Sequence, residues 1–81
     1  MPDQHLTFHI LYTPDEGGYN ALEPVTGTTS WGKDLAEAKT MIAEALELYL
    51  GELSSEETAE IAARQADAWS GDVDVTVSAA A

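Results

Sequence analysis

A chain of 81 residues with 15 Asp and Glu against three Lys and Arg, a formal net charge of −12 and no cysteine reads as one small domain, 1–81, without disulfide staples or thiolate metal sites. At this length only about 60 to 65% of the unfolded surface is buried on folding, so the core is modest and a second subunit is the expected supplement. The charge opposes autonomous DNA or RNA binding, which rests on Lys and Arg displacing counterions from phosphates, and the absence of any signal-like or membrane-length apolar run predicts a soluble, cytoplasmic protein with no membrane partner.

Residues 6–13 alternate, with Leu6, Phe8, Ile10 and Tyr12 on one face and Thr7, His9, Leu11 and Thr13 on the other, the period of a half-buried strand. Pro14-Asp15-Glu16-Gly17-Gly18 follows, a hairpin turn in which the paired glycines supply positive φ. A second strand over 19–23 is stopped by Pro24, which has no amide hydrogen for a ladder, and a third over 28–31 ends at Gly32.

Asp34 is an N-cap, and Glu37 completes an acidic capping box at the positive end of a helix over 35–51. Leu35, Ala38, Ile42, Ala45, Leu46, Tyr49 and Leu53 recur at helical spacing as its buried stripe, while Glu37, Thr40, Glu44 and Glu47 fall opposite and Met41 and Leu48 lie on a flank. Ser54-Ser55-Glu56-Glu57 opens a second helix over 55–69 whose packing face is Ala59, Ala62, Ala66 and Trp69, with Ile61 directed elsewhere. Ser70-Gly71-Asp72 breaks it. Val73-Asp74-Val75-Thr76-Val77 then alternates as a fourth strand over 73–77, valines inward.

Three strands joined by tight turns form an antiparallel meander, and a right-handed crossover brings the last strand parallel to the first. The expected fold is α+β, β-β-β-α-(α)-β, a mixed four-stranded sheet in order 3-2-1-4 with both helices on one face. The other face, with His9 and Leu11, is left exposed or covered by a second copy, so His9, Leu11, Met41 and Leu48 are the self-association candidates and a homodimer or homotetramer is expected.

No chemistry emerges from the side chains. There is no serine in a strand-to-helix elbow and no cysteine nucleophile. His5 and His9 share a strand face at a separation wider than one metal ion accepts, with no third ligand at convincing spacing, so they read as ordinary surface histidines. The glycines fit no phosphate-loop pattern, and Asp34 at the helix start opposes an anion there. A two-metal nuclease site needs a carboxylate inside the first strand; residues 6–13 hold none, and Asp72 and Asp74 read as solvent-face residues. The expectation is a protein that is not an enzyme, with no cofactor, no metal and no catalytic residue.

The apolar first strand, the Asp15-Glu16-Gly17-Gly18-Tyr19 hairpin, Pro24-x-x-Gly27, Gly32, the capped start Asp34-Leu35-Ala36-Glu37-Ala38 and the helix end Ala45-Leu46-Glu47-Leu48-Tyr49-Leu50 stand together in an order that resembles the HicB-like antitoxin domain of toxin-antitoxin systems, over about Leu6 to Leu53. Members often carry Cys where Thr28 stands here. The resemblance implies a degenerate ribonuclease H-like fold and a non-enzymatic protein that neutralises a small, basic, HicA-like RNA-cleaving toxin, with Glu37, Glu44 and Glu47 as candidate contacts. The second helix and fourth strand take up the residues after Leu53, so a short form without the family's DNA-binding extension is expected. The alternative is a stand-alone structural or regulatory oligomeric domain of the same fold with no toxin partner. The acidity itself fits either docking to a basic protein or a surface adapted to a high-salt habitat.

Overall fold

The computed structural model describes residues 6–78 and places β1 (Leu11–Asp15), β2 (Gly18–Glu23), β3 (Thr28–Gly32), α1 (Leu35–Gly51) and α2 (Ser55–Ala66) in that order. The domain is α+β: an antiparallel sheet in order β1-β2-β3, with α1 laid across β3 and β2 rather than across β1.

The hairpin closes on the pair Asp15↔Gly18, with Glu16 at φ 46° and Gly17 at φ 81°. Positive φ at both central residues is the type I′ geometry, whose twist matches that of the flanking strands. The left-handed positions therefore fall one residue earlier than the Gly17-Gly18 pair suggests, and Glu16 occupies one of them. Gly18 has a different task, because the Trp31 ring stands where its Cβ would be. Trp31 Nε1 donates to the Asp15 carbonyl at 3.0 Å, tying β3 to the hairpin tip.

Gly32 closes β3 against the first turn of α1, and any Cβ there would strike the Ala38 backbone. The close approach of strand end and helix start thus requires glycine. Asp34 Oδ1 accepts the Glu37 N–H at 2.8 Å, while Glu37 Oε1 reaches back past the N-cap to accept the Lys33 N–H at 3.1 Å. At α2 the box is complete, with Ser54 Oγ accepting the Glu57 N–H and Glu57 Oε1 accepting the Ser54 N–H, both at 3.1 Å.

The core is Ala21, Ala38, Ile42 and Leu46, with Phe8, Ile10, Tyr12 and Tyr19 packed against it. Leu35 and Tyr49, expected in the buried stripe, are exposed. A sheet of three strands is narrower than the four-stranded one expected, and it covers only the central line of the helix.

Several sequence expectations need correction. Residues 6–10 keep the expected alternation, Leu6, Phe8 and Ile10 half-buried and Thr7 and His9 exposed, yet the ladder begins only at Leu11↔Leu22. β2 ends at Glu23, opposite Ile10 in this register, and beyond it Pro24 has no amide hydrogen with which to continue the ladder. The second helix ends at Ala66 instead of residue 69, and its buried residues are Ile61 and Gln65, not the alanine face. Ile61 is the one large aliphatic side chain on α2, so burying it gains most and Ala59, Ala66 and Trp69 turn outward. The fourth strand is not formed: among the described residues the sheet has three strands, and Val73, Val75 and Val77 are 85%, 76% and 84% exposed. Their alternation is that of a strand, but among the described residues no strand pairs with them. His5 lies outside the described residues.

Candidate functional site

Because α1 covers β3 and β2, its other flank overhangs the open side of β1 and the Leu6–Ile10 stretch. Between them runs an open groove of about 820 Å³, walled by Phe8, Ile10 and Tyr12 on one side and Ile42, Leu46 and Leu50 on the other. His9, Lys39 and Glu47 stand on its polar margin, and Ser70 bounds it where the chain leaves α2. The groove explains why Phe8, Ile10 and Tyr12 pack on the core yet stay only half-buried.

The sheet face away from α1 carries Leu11 paired with Leu22 and Trp31 paired with Asn20. Leu11 and Trp31 are exposed there. Met41 and Leu48 are exposed on α1, on the opposite side of the sheet from Leu11. His9 joins the groove margin. The four self-association candidates are therefore all at the surface, but they are spread over different surfaces and do not make one patch.

Of the acidic candidates, Glu37 is engaged at its own helix start, accepting from Lys33 N–H and standing 4.0 Å from Lys33 Nζ. Glu44 and Glu47 are exposed on α1, and Glu47 borders the groove, as does Lys39 two turns earlier on the helix. These two carboxylates remain directed to solvent, where a basic partner would meet them.

The fold also holds a carboxylate that sequence reading passed over. Glu23, the last residue of β2, is fully buried. Its Oε2 accepts from Val25 N–H at 3.0 Å and from Gln65 Nε2 at 2.7 Å, and its Oε1 accepts from Thr26 N–H at 2.8 Å. Burial on its own would push this carboxyl up, but the hydrogen bonds from Val25, Thr26 and Gln65 outweigh it and hold the group below the ordinary carboxylate value. Glu23 thereby fixes the β2–β3 turn and fastens α2 to the sheet. The available signal was its position: Tyr19, Ala21 and Glu23 share a strand face, which is the core face. Gln65 Oε1 is buried without a partner among the described residues.

Among the described residues the carboxylates are dispersed. Asp15 falls within β1, at its exposed hairpin end, and Asp72 and Asp74 are exposed after α2. Among the described residues no three His, Asp or Glu side chains gather into a metal-binding group, and no helix is long and apolar enough to cross a membrane.

Compared with known proteins, the chain is 43% identical over 55 residues to a UPF0150 protein of Helicobacter pylori, a match spanning 67% of this chain and 76% of that protein. No family model matches the chain, and no solved structure does.

Proposed function

We propose, from the premise that this chain belongs to the UPF0150 family, that it is a non-enzymatic binding domain which neutralises a small, basic, HicA-like RNA-cleaving toxin. The family match carries this reading, UPF0150 being related to the HicB-like antitoxins. The physical support is charge. A chain of net charge −12 with Glu44 and Glu47 directed to solvent attracts a basic RNA-binding surface at long range and competes with RNA for the same lysines and arginines. In this reading the protein acts in the cytoplasm beside its toxin, and the sheet is a ribonuclease H-like one that a fourth strand completes on the outer edge of β1.

The test is co-expression with the small basic product of the adjacent gene. Relief of toxin-induced growth arrest and co-elution of the two purified proteins are expected, with complex formation weakening as salt rises. Absence of both rescue and co-elution refutes the reading. The uncovered Leu11 and Trp31 favour the second reading, a stand-alone oligomeric domain, which predicts self-assembly without rescue.

A further inference from the structure

We infer that the groove between α1 and the outer edge of β1 receives the Val73–Val77 segment of a second copy of this chain, so that two chains exchange C-terminal strands. The inference goes beyond the antitoxin reading and does not depend on it.

The acceptor is an edge. β1 stands at the end of the sheet, and the extended Leu6–Ile10 stretch before it lies outside the ladder, so a row of backbone donors and acceptors is offered to an incoming strand. Directly beneath that edge lie Phe8, Ile10, Ile42 and Leu46 of the groove, positioned to take apolar side chains at every second residue. The donor is the segment Val73-Asp74-Val75-Thr76-Val77. Its three valines recur with the period of one strand face and all are exposed.

One chain displays both parts without joining them. Its own tail passes the end of the groove at Ser70 and continues with no strand partner among the described residues. Two copies related by a twofold axis satisfy both surfaces at once, each donating a strand and accepting one, and such exchange of an identical element is a low-cost route to a dimer. Gly71, which stands in open space, is the point at which the tail can turn toward the partner. Charge favours the same place. On a chain of net charge −12 the groove margin carries the cation Lys39 as well as Glu47, which lessens the repulsion that Asp72 and Asp74 of an incoming tail meet there.

The protein contains no cysteine, which makes the exchange directly readable. A His9→Cys chain and a Thr76→Cys chain are unfolded and refolded together, then treated with a short bismaleimide. The expected product is a heterodimer linked between the two substituted positions, with a light-scattering mass of twice the 8.6 kDa chain for the unsubstituted protein. Adding Val75→Asp, in the exposed tail, leaves the circular dichroism of the body unchanged and weakens the dimer by at least about tenfold. Raising salt from about 0.15 M to about 1 M tightens it, because apolar contact is kept while repulsion between two acidic chains is screened. A monomeric mass at micromolar concentration overturns the inference. So does a link that forms only within a chain carrying both substitutions, which would mean that the tail folds onto its own groove.

Discussion

Replacing Glu23 by Gln tests whether one buried carboxylate holds the second helix to the sheet. The carboxylate accepts three hydrogen bonds, from Val25 N–H, Thr26 N–H and Gln65 Nε2, and no solvent reaches it. A Gln side chain keeps one acceptor oxygen. Placed to serve Val25 and Gln65, that oxygen leaves the new NH2 facing the Thr26 N–H. One buried donor without a partner costs about 1–3 kcal/mol, and the two surviving bonds fall from the charged to the neutral class at about 1 kcal/mol each. The sum is about 3–5 kcal/mol, a large part of the about 4–12 kcal/mol expected for a domain of this length. Urea denaturation at pH 7 measures it, with Glu44→Gln on the exposed face of α1 as the control that stays within about 0.5 kcal/mol. A double-mutant cycle with Gln65→Leu adds a coupling of about 1–2 kcal/mol.

The pH dependence carries its own sign. The folded carboxyl is held below its ordinary value of 4.5, so between the folded and unfolded pKa the unfolded chain binds more protons. Glu23 therefore contributes its full stability above that ordinary value and loses it as the pH falls through the folded pKa. Glu23→Gln should flatten this acid limb. A variant as stable as the parent, or one with the same acid slope, refutes the role given to Glu23.

Gly32→Ala forces a Cβ into the Ala38 backbone and should cost at least about 2–3 kcal/mol, read as a lowered thermal midpoint; a neutral result would mean that α1 can lift off β3 freely. Glu16→Asn should raise stability by about 0.5–1 kcal/mol, since Asn tolerates the φ of 46° that Glu16 now holds, and the same melts detect it. Glu44→Lys combined with Glu47→Lys should leave folding within about 0.5 kcal/mol while slowing association with the basic partner about tenfold in stopped-flow at low salt.

Local chemistry made most of the meander and the helices legible. The turn residues of the hairpin, the Asp34 and Ser54 caps and the three- and four-residue spacing of Ala38, Ile42 and Leu46 are signals that the chain carries within a few residues of where they act, and β2, β3 and α1 follow them closely. What failed depends on neighbours distant in sequence. The face of α2 was misread because three alanines and Trp69 at helical spacing look like a packing stripe, whereas Ile61 and Gln65 are the buried residues, Gln65 through its hydrogen bond to Glu23 of β2. Glu23 was missed because its hydrogen-bond partner, Gln65, lies 42 residues away. The strand pattern of Val73–Val77 was read correctly as a pattern, but a strand exists only where a ladder partner does. At the candidate site, the exposure of Glu44 and Glu47 was legible from helical phase. The engagement of Glu37 is half legible, since its place three residues after Asp34 marks a cap while its helical phase also turns it to the outer face.

The two surfaces proposed for binding respond to salt in opposite senses, and this separates them even though both border Glu47. Docking of a basic protein on the outer face of α1 is attraction between unlike charges and fades as the Debye length shrinks. Strand exchange brings two strongly acidic chains together through valines and a near-neutral groove, so screening removes its main opposition. The Val75→Asp substitution acts on the second alone, and the Glu44→Lys, Glu47→Lys pair acts chiefly on the first. If exchange occupies the groove, Glu47 lies at the edge of the dimer while Glu44, one turn earlier on α1, stays directed to solvent. The dimer then presents two acidic helix faces at once, and a partner with two basic sites gains avidity that a single chain cannot supply. Weakening exchange by Val75→Asp should therefore lower the apparent affinity for such a bivalent partner without altering the affinity of one helix face for one site, a difference that titration against monomeric and tethered partner resolves.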